Sequence, residues 1–274
     1  MKQVGKKACI LLIAGVIFLM GLSGCESSNE NTFSKMSEGQ SDLEYVQSKG
    51  TLVVGITEFA PMDFLDGDQW AGFDADLVRD FAESISVTVE FKEIDWDNRT
   101  KLLESGSIDC IWNGMTMTEE MQSTISCSEP YLSNAQVAVM KRDEMEKYQT
   151  IDACRHMLFA AEKSSTGETL LKEMKYRYTT CDTQLDALQS VRSGKADAAM
   201  IDIVMAAYYT SEEQEFQDLS FQIALNDEKS CAGFRKGSDL TEKANEFLKN
   251  AYEDGTIDSL ASRYGLENAV LDEK

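Results

Sequence analysis

The sequence contains little histidine and little proline. Its 274 residues include one histidine, His156, and two prolines. A histidine-based catalytic triad, or a metal site with several histidines, would depend on this single side chain, so both kinds of site are nearly excluded. The composition therefore argues against enzymes whose active sites depend on several histidines or on a histidine-based triad.

Basic residues are scarce relative to acidic ones. The chain has 26 Lys and Arg against 48 Asp and Glu, which is a formal net charge of −22. A field of this sign repels phosphate backbones, so the composition argues against nucleic-acid binding. It does not specify a cationic ligand, because net charge describes the whole surface. A hydrophobic fraction of 43% is enough for a folded core, and the length suits one large domain or two of ordinary size.

The seven cysteines include no CxxC pair. Cys9 and Cys25 belong to an N-terminal segment, and the remaining five are widely spaced and odd in number, namely Cys110, Cys127, Cys154, Cys181 and Cys231. Zinc and redox interpretations are therefore weakly supported. Several of the five lie in apolar, strand-like runs, where a free cysteine usually behaves as a small buried hydrophobe. One disulfide is compatible with the sequence, which does not specify its partners.

One apolar run stands out near the N-terminus, at residues 8–22. Three lysines precede it, and it ends in Leu22-Ser23-Gly24-Cys25. A positive segment, an apolar segment and a small-residue cleavage site predict a secretory signal peptide, and the run is too short for a typical membrane-spanning helix. The four closing residues resemble the bacterial lipobox, which implies that Cys25 becomes the first residue of the mature lipoprotein and carries diglyceride and palmitate. The alternative is a plain signal peptide in which Cys25 has no role.

Residues 1–24 are thus the predicted signal peptide, and residues 25–42 form a polar, flexible tether with few large apolar side chains. The protein is expected on the extracytoplasmic face of the cell membrane, held there by its N-terminal lipid. No second apolar segment of spanning length follows in the sequence, which argues against a receptor with its own transmembrane output.

The body of the chain alternates strand-like and helix-like segments. Strands are predicted at residues 51–56, 87–94, 108–112, 135–140, 157–161, 176–180 and 196–201, with amphipathic helices between most of them. This alternation predicts mostly parallel sheets, and its two consecutive blocks predict two lobes that face each other across a cleft. Asp74 and Asp182 are expected to cap helices, and residues 141–148 are expected to be helix-like.

Residues 108–131 form the stretch that most suggests a site. A buried strand ends at Asn113-Gly114, and Thr116 and Thr118 follow, spaced by methionines. In open α/β sheets ligands bind beyond the carboxyl ends of the strands, so these side chains are candidate ligand contacts. An ordinary strand-loop-helix unit, in which Thr118 only caps the next helix, is the alternative interpretation.

Seven segments, in this order, resemble the extracellular solute-binding proteins of polar amino-acid ABC importers: GITEFAPMDF, AGFDADL, DWDNRTKLLESGSIDCIWNGMTMT, SEPY, AAEKSSTGETL, ALQSVRSGKADAAMID and AYEDGTIDSLASRYG. The resemblance covers about residues 43–265. It implies an α/β fold of the two-lobed, type II periplasmic-binding-protein kind, with two hinge strands and one ligand cleft. Lobe 1 would comprise residues 43–134 plus 229–274 and lobe 2 residues 135–228, with crossings near residues 133–134 and 226–231.

The same resemblance implies the residues of lobe 1 that contact the ligand. Phe59 and Trp96 correspond to an aromatic pair around the ligand side chain, and the alternative is that both are core aromatics. Asn113, Gly114 and Thr116 correspond to a loop whose backbone and hydroxyl groups hold the ligand's amine and carboxylate.

In lobe 2, Ser165, Thr166 and Gly167 open a helix whose free N–H groups and dipole suit a carboxylate. Asp202, after an apolar strand, corresponds to the acidic residue that pairs with the ligand ammonium. The alternative interpretation is that Asp202 caps the following helix.

The chain departs from the family pattern at Met121, where the family usually has an arginine that clamps the ligand carboxylate. No other basic residue lies between Gly114 and Val139, and the spacing of Arg99 is expected to place it on the helix after Trp96. Either Thr116 and the lobe-2 helix N-terminus hold the carboxylate alone, or the ligand is not a standard α-amino acid.

The favoured function is a lipid-anchored substrate-binding subunit that delivers an amino acid or a related small amine to ABC permease subunits. It needs no catalytic residue, cofactor or metal. A sensor or scavenger of the same fold is one alternative, motivated by Met121. An enzyme on this fold, such as a dehydratase or hydrolase, is disfavoured by the single histidine and by the lack of a paired carboxylate motif.

Overall fold

The computed structural model of the chain describes residues 39–212 and 214–271. The predicted signal peptide, Cys25 and most of the predicted tether lie outside the described residues. Helix α1 begins at Asp42, the last residue of that tether, and Ser41 caps it by accepting a hydrogen bond from the Glu44 N–H. Among the described residues, no helix combines the length and apolarity that crossing a bilayer requires.

Strands and helices alternate through the described chain. The helices are α1 (Asp42–Lys49), α2 (Phe73–Ser84), α3 (Arg99–Glu104), α4 (Glu119–Thr124), α5 (Thr166–Glu173), α6 (Gln184–Arg192), α7 (Ile203–Thr210), α8 (Leu240–Glu253) and α9 (Thr256–Tyr264). The strands are β1 (Thr51–Ile56), β2 (Phe64–Asp66), β3 (Gln69–Ala71), β4 (Thr88–Glu93), β5 (Cys110–Ile111), β6 (Ser126–Cys127), β7 (Leu132–Asn134), β8 (Gln136–Lys141), β9 (Leu158–Glu162), β10 (Arg177–Cys181), β11 (Ala198–Asp202), β12 (Leu219–Ala224), β13 (Glu228–Ser230) and β14 (Gly233–Phe234). Each predicted strand overlaps an observed one.

Two five-stranded sheets form the cores of two lobes. Their strand orders are β4-β1-β5-β14-β6 and β10-β9-β11-β8-β12. Within each sheet three neighbouring strands are parallel, as predicted, while β14 and β8 run antiparallel to their neighbours. Parallel neighbours require a long crossover, usually a helix. Strands β8 and β14 instead follow directly on β7 and β13. Because they pair antiparallel with their neighbours, they need no crossover helix.

Strands β7 and β13 connect the two sheets. They pair antiparallel, with Glu228 opposite Asn134 and Ser230 opposite Leu132. The chain leaves the first sheet after β6, passes through β7 into the second sheet, and returns through β13 to β14. The lobes are thus joined by a short two-stranded ribbon, the geometry from which hinge motions of two-lobed proteins arise.

Asp74 does not cap α2, contrary to the expectation. The N-cap is Gly72, at φ 125°, and the N–H groups of Phe73 and Asp74 donate to the carbonyls of Pro61 and Met62 at 3.0 and 2.9 Å. A Cβ on Gly72 would lie 2.6 Å from the Met62 carbonyl carbon, so this close approach of the loop requires glycine. The loop carbonyls satisfy the helix N-terminus, which leaves the Asp74 carboxylate free for other contacts.

Two further local expectations were wrong. Thr183, not Asp182, caps α6 by accepting from the Asp186 N–H at 3.0 Å, because the helix begins one residue later than expected. Residues 141–148 contain only the short 3-10 helix Arg142–Glu144. There the Arg142 N–H donates to the Asp218 carbonyl at 3.0 Å, and its side chain donates to the Gln217 carbonyl at 3.1 Å. These tertiary bonds hold the segment against β12 and replace a longer helix.

The five cysteines of the body are free thiols in the structure. Cys110, Cys154 and Cys231 are buried, consistent with their expected behaviour as small hydrophobes. Cys127 and Cys231 lie together in the packing cluster of the first lobe, and a hydrogen bond between their thiols contributes to the shifts of both pKa values.

Candidate ligand-binding site

A cavity of about 330 Å³ lies between the lobes, which is within the size range of small-molecule sites. Its wall is built from the ends of β5, β9 and β11 together with the loops and helix N-termini that follow them. All nine predicted site residues line it: Phe59, Trp96, Asn113, Gly114, Thr116, Met121, Ser165, Thr166 and Asp202. The predicted residues, up to 143 positions apart in sequence (59 to 202), are thus brought to one cavity.

Phe59 and Gly114 pack directly against each other. Gly114 has φ +57°, and a Cβ on it would overlap Phe59 Cε1 and lie 3.0 Å from Cδ1. The Phe59 backbone is held by its N–H bond to the Asp63 carbonyl, at 2.7 Å. Phe59 is only 6% exposed and belongs to the core of its lobe while also forming part of the cavity wall. Phe59 is therefore a core aromatic, as the alternative interpretation held, and its place in the wall also makes it accessible to a ligand.

Trp96 also lines the cavity and lies in the 3-10 helix Trp96–Asn98. The guanidinium carbon of Arg99 lies 4.6 Å from the centroid of the Trp96 ring, a cation–π contact. The indole ring therefore already has a cationic neighbour before any ligand enters.

The Asn113 side chain is committed to its own lobe. Its Oδ1 accepts from the Thr57 N–H at 2.6 Å and the Thr57 hydroxyl at 2.7 Å, and its Nδ2 donates to Asp63 Oδ2 at 2.7 Å. Three atoms of the loop that follows β1 are thus tied to the end of β5. Asn113 builds the frame of the cavity with its side chain and leaves its backbone for other contacts.

Asp74 holds the neighbouring part of the loop. Its Oδ2 accepts from the Gly114 N–H at 2.6 Å and from the Tyr131 hydroxyl at 2.8 Å. Burial raises the pKa of Asp74 to about 7, and the two hydrogen bonds oppose that rise. Burial, together with the charge of Asp74, also holds the pKa of Asp63 well above its usual range. The site loop therefore rests on two buried carboxyl groups that the sequence pattern did not single out for this role.

Thr116 and Thr118 have different structural partners. The Thr116 hydroxyl donates to Glu228 Oε2, on the connecting strand β13, at 3.0 Å. Thr118 caps α4, since its hydroxyl accepts from the Met121 N–H at 3.1 Å, and it also lines the cavity. The capping interpretation of Thr118 is thus confirmed, while its place in the wall leaves a ligand contact open to it.

Asp202 lies at the end of β11 and precedes α7, but its side chain makes no capping hydrogen bond. Its carboxylate instead accepts from the side-chain amides of Asn134, Gln136 and Gln184. Asn134 and Gln136 each also donate to Glu228 Oε2, at 3.1 Å. Burial, followed by the nearby charge of Glu228, raises the pKa of Asp202 to about 6. The amide network therefore links this carboxylate to both strands near the lobe connection.

Glu162, which the sequence pattern did not identify, is a second carboxyl group in the wall, at the end of β9. Burial raises its pKa to about 8, with a further increase from Asp202 and an opposing effect from Arg99. Glu162 and Asp202 end adjacent parallel strands, so the sheet topology could have indicated their proximity once the register was known.

The N-terminus of α5 forms the lobe-2 side of the wall. Ser165 caps this helix by accepting from the Glu168 N–H at 3.2 Å. A Cβ on Gly167 would lie 2.7 Å from the Met200 carbonyl oxygen, so glycine lets α5 approach β11 closely. The close approach brings Ser165 and Thr166 to the cavity.

Arg99 is the most consequential residue that sequence reasoning missed. It opens α3, as its spacing predicted, yet its side chain lines the cavity and reaches Met121 Sδ at 3.6 Å. The placement on this helix is confirmed, but Arg99 was not among the predicted site residues, and the structure adds it to the wall. Only the tertiary structure brings residues 99 and 121 together, and no local sequence signal records a contact over 22 positions.

Comparisons with known proteins agree with this geometry. The family model of the bacterial extracellular solute-binding proteins, family 3, matches residues 52–267. The arginine-binding extracellular protein ArtP of Bacillus subtilis (strain 168) is 27% identical over 265 residues, covering 94% of this chain and 98% of that protein. The structure of a histidine-bound substrate-binding protein of an ABC uptake transporter from Streptococcus pneumoniae has a TM-score of 0.80 and 27% sequence identity. The match covers 86% of this chain and 100% of that chain.

A third similar structure is that of the ancestral amino acid-binding protein AncCDT-1, described as a precursor of cyclohexadienyl dehydratase. It has a TM-score of 0.76 and 31% identity, and the match covers 82% of this chain and 99% of that chain. The family match spans well over half of the sequence, and the two sheets with their connecting ribbon correspond to the fold of these structures. The chain belongs to the bacterial extracellular solute-binding proteins, family 3, and has their two-lobed, type II periplasmic-binding-protein fold.

Proposed function

We propose that this chain is the substrate-binding subunit of an ABC importer, which captures an amino acid or a related small amine between its lobes and delivers it to permease subunits. The observation that carries the proposal is a cavity between the lobes whose wall combines aromatic rings, a glycine loop, a helix N-terminus and carboxyl groups. The proposed lobes are residues 43–134 plus 229–274 and residues 135–228. A ligand that contacts both lobes favours the closed form, which the permease recognises.

The proposed contacts follow the chemistry of the wall. Phe59 and Trp96 flank the ligand side chain, and Asp202 attracts its ammonium group. The backbone of Asn113 and Gly114 and the hydroxyl of Thr116 contact the amine and the carboxylate of the ligand. Ser165 and Thr166, at the α5 N-terminus, suit a carboxylate, and Met121 supplies an apolar part of the wall.

The membrane anchor is part of the same proposal. A lipid on Cys25, made of diglyceride and palmitate, holds the protein at the outer face of the cell membrane, and residues 26–42 give it reach toward the permease. The basis is the Leu-Ser-Gly-Cys sequence after the apolar run. A protein of the same fold that senses or scavenges the ligand would share the cavity and the anchor.

An enzyme on this fold, such as a dehydratase, is the alternative outside the binding class, and one matching ancestral protein is described as a precursor of a dehydratase. His156 does not line the cavity. Its Nε2 lies 3.1 Å from the Tyr148 hydroxyl, a structural contact in lobe 2. The arrangement of the wall residues favours binding.

The proposal is tested by a thermal-shift screen of the full chain, purified in detergent. The probes are L-arginine, L-histidine, L-glutamine and L-cystine, together with the decarboxylated amines agmatine and histamine. A ligand at 100 times its Kd is expected to stabilise the fold by about 2.7 kcal/mol and to raise Tm by about 5–10 °C. If no probe raises Tm, and none gives a binding isotherm in calorimetry, the proposed function is wrong.

Contacts across the mouth of the cleft lead to a second prediction. Asp97 in lobe 1 accepts from Lys163 Nζ at 2.6 Å and from the Ser164 hydroxyl, both in lobe 2. Because Lys163 is exposed and Asp97 is partly exposed, the contribution of this ion pair is small and screened by salt. Asp97→Asn is expected to weaken ligand binding by about two- to five-fold at low salt, with the difference fading as salt is added.

Titration calorimetry at two NaCl concentrations measures this effect. Asp152→Asn is the matched control, because Asp152 pairs with Arg155 at 3.5 Å within one lobe and does not line the cavity. An effect of Asp97→Asn that equals that of the control, or that does not depend on salt, would show that the contact does not contribute to closure.

A further inference from the structure

The side chain of Arg99 brings a partly buried positive charge to the wall of the cavity. Its guanidinium packs on the Trp96 ring, its Nη1 donates to the Trp96 carbonyl at 2.8 Å, and its Nη2 donates to the Ser164 carbonyl at 3.3 Å. The first carbonyl belongs to its own lobe and the second to the opposite lobe. These contacts fix the direction of the side chain but do not neutralise its charge.

Within residues 39–212 and 214–271, Arg99 forms no ion pair, and its Nε–H is buried without an acceptor. Arg235, a largely buried arginine of the same lobe, shows the usual arrangement. It forms ion pairs with Asp42 at 3.0 Å and with Asp109 at 3.5 Å. A buried charge is normally paired in this manner, since removal from water is costly. Arg99 is therefore an exception whose missing partner requires an explanation.

The carboxyl groups whose charges act on Arg99 are those of Glu162, Glu120 and Asp97, and within the described residues none of them forms an ion pair with it. Met121 Sδ, at 3.6 Å from Nη2, is a weak acceptor. Asp97 is already bound by Lys163 and Ser164. Burial raises the pKa of Glu162 to about 8, which disfavours the charged form of this carboxyl group in the empty cavity. Burial also lowers the pKa of Arg99, which measures the desolvation that its charge experiences.

We propose that Arg99 binds the carboxylate of the ligand, and thereby supplies from α3 the cation that position 121 does not provide. A guanidinium presents its donors as a rigid fork that matches a carboxylate, and a carboxylate oxygen would give the buried Nε–H its acceptor. The inference rests on the proposed function and makes it narrower: the ligand is an amino acid with a free carboxylate, and decarboxylated amines bind poorly. Because Arg99 also donates to Ser164 of the opposite lobe, it joins carboxylate recognition to closure.

The test compares each amino acid with its decarboxylated amine on the full chain, by titration calorimetry. The probe pairs are L-arginine with agmatine and L-histidine with histamine. In the wild-type protein the amino acid of at least one pair is expected to bind at least about 100-fold more tightly than its amine. Arg99→Met is expected to weaken binding of that amino acid by about 100-fold and to change binding of the amine by less than about three-fold, while Arg99→Lys keeps the charge without the fork and loses about 10-fold.

The chain offers a matched control and a rescue. Arg155 also packs on an aromatic ring, with its Cζ 4.7 Å from the Tyr176 centroid, and donates to the Met174 carbonyl at 3.0 Å, but it does not line the cavity. Arg155→Met is expected to leave both affinities unchanged. Adding Met121→Arg to Arg99→Met is expected to recover at least about 10-fold in amino-acid affinity, because it returns a guanidinium to the same part of the wall.

The two proposals fail in different ways. If the wild-type protein binds none of the amino acids of the thermal-shift screen and no amine, the proposed function is wrong and this inference falls with it. If it binds L-glutamine or L-cystine instead, the same comparison is made between that amino acid and its decarboxylated amine. If the wild-type protein binds amino acid and amine equally, or if Arg99→Met weakens both to the same extent, Arg99 has only a structural or closing role and this inference alone is overturned. A loss confined to the amino acid, together with the Met121→Arg rescue, supports the inference.

Discussion

Replacement of Gly114 by alanine is expected to weaken ligand binding by at least about 100-fold while the fold persists. Gly114 has φ +57°, and an added Cβ would overlap Phe59 Cε1. Phe59 is buried and hydrogen-bonded to Asp63 through its backbone, so its ring cannot move away without shifting the loop that forms one wall of the cavity. The strained backbone and the overlap together are expected to destabilise the protein by about 2–4 kcal/mol.

Gly106→Ala separates the two causes. Gly106 has a similar backbone angle, φ +74°, but nothing lies within 4 Å of its added Cβ. It therefore carries the backbone strain without the overlap, and we expect a stability loss of about 1 kcal/mol with unchanged affinity.

Calorimetry against the best ligand of the screen, with urea unfolding of each variant, measures both quantities. A second substitution, Phe59→Leu, should recover part of the affinity of Gly114→Ala by making room for the methyl group. If Gly114→Ala binds as tightly as Gly106→Ala, the contact between Gly114 and Phe59 does not shape the site.

The ligand-free protein is expected to lose stability as pH rises from about 4.5 to 8. The pKa values of Glu162, Asp74 and Asp202 are raised by burial to about 8, 7 and 6, above the ordinary values of 4.5 for Glu and 3.8 for Asp. Between the ordinary and the raised value, the folded protein holds a proton that the unfolded chain releases. Stability from these groups is therefore fully present below the ordinary pKa and is lost as pH rises through the raised one.

The size of this effect is substantial. A shift of one pKa unit corresponds to about 1.4 kcal/mol, so Glu162 alone changes the free energy of unfolding by on the order of 4 kcal/mol across this range. Urea unfolding without ligand at pH 5, 6, 7 and 8 measures it.

Glu162→Gln should flatten this pH dependence, because a neutral amide replaces the proton-binding group, whereas Glu90→Gln, at an exposed position of β4, should not. The explanation would be wrong if stability rose steadily from pH 5 to pH 8, or if both variants behaved alike.

Ligand binding should be coupled to the same protons. A ligand ammonium near Glu162 and Asp202 favours their ionised forms, so its binding lowers their pKa values and releases protons below about pH 8. The affinity is then expected to increase with pH up to that point. Calorimetry at one pH in two buffers of different ionisation enthalpy reports the number of protons released.

The sequence by itself determined the family, the two-lobed α/β fold and the neighbourhood of the site. The family and most of the site residues follow from the resemblance of seven segments to a known family, while the strand–helix alternation and the stretch at residues 108–131 follow from local patterns such as apolar runs of strand length and helix caps. Since the carboxyl ends of strands meet at one edge of a sheet, the residues chosen on that basis line one cavity. Their roles toward a ligand are still predictions, and Cys25 lies outside the described residues.

Only the tertiary structure decided what each polar side chain contacts. Asp74 was expected to cap a helix, but it holds the Gly114 loop because nearby carbonyls already satisfy the N-terminus of α2. Asn113 is tied to Thr57 and Asp63, and Arg99 reaches Met121 across 22 positions of sequence. Hydrogen bonds and charge pairs of this kind depend on how helices and lobes pack over long sequence separations. Periodicity and capping patterns carry no information about that packing.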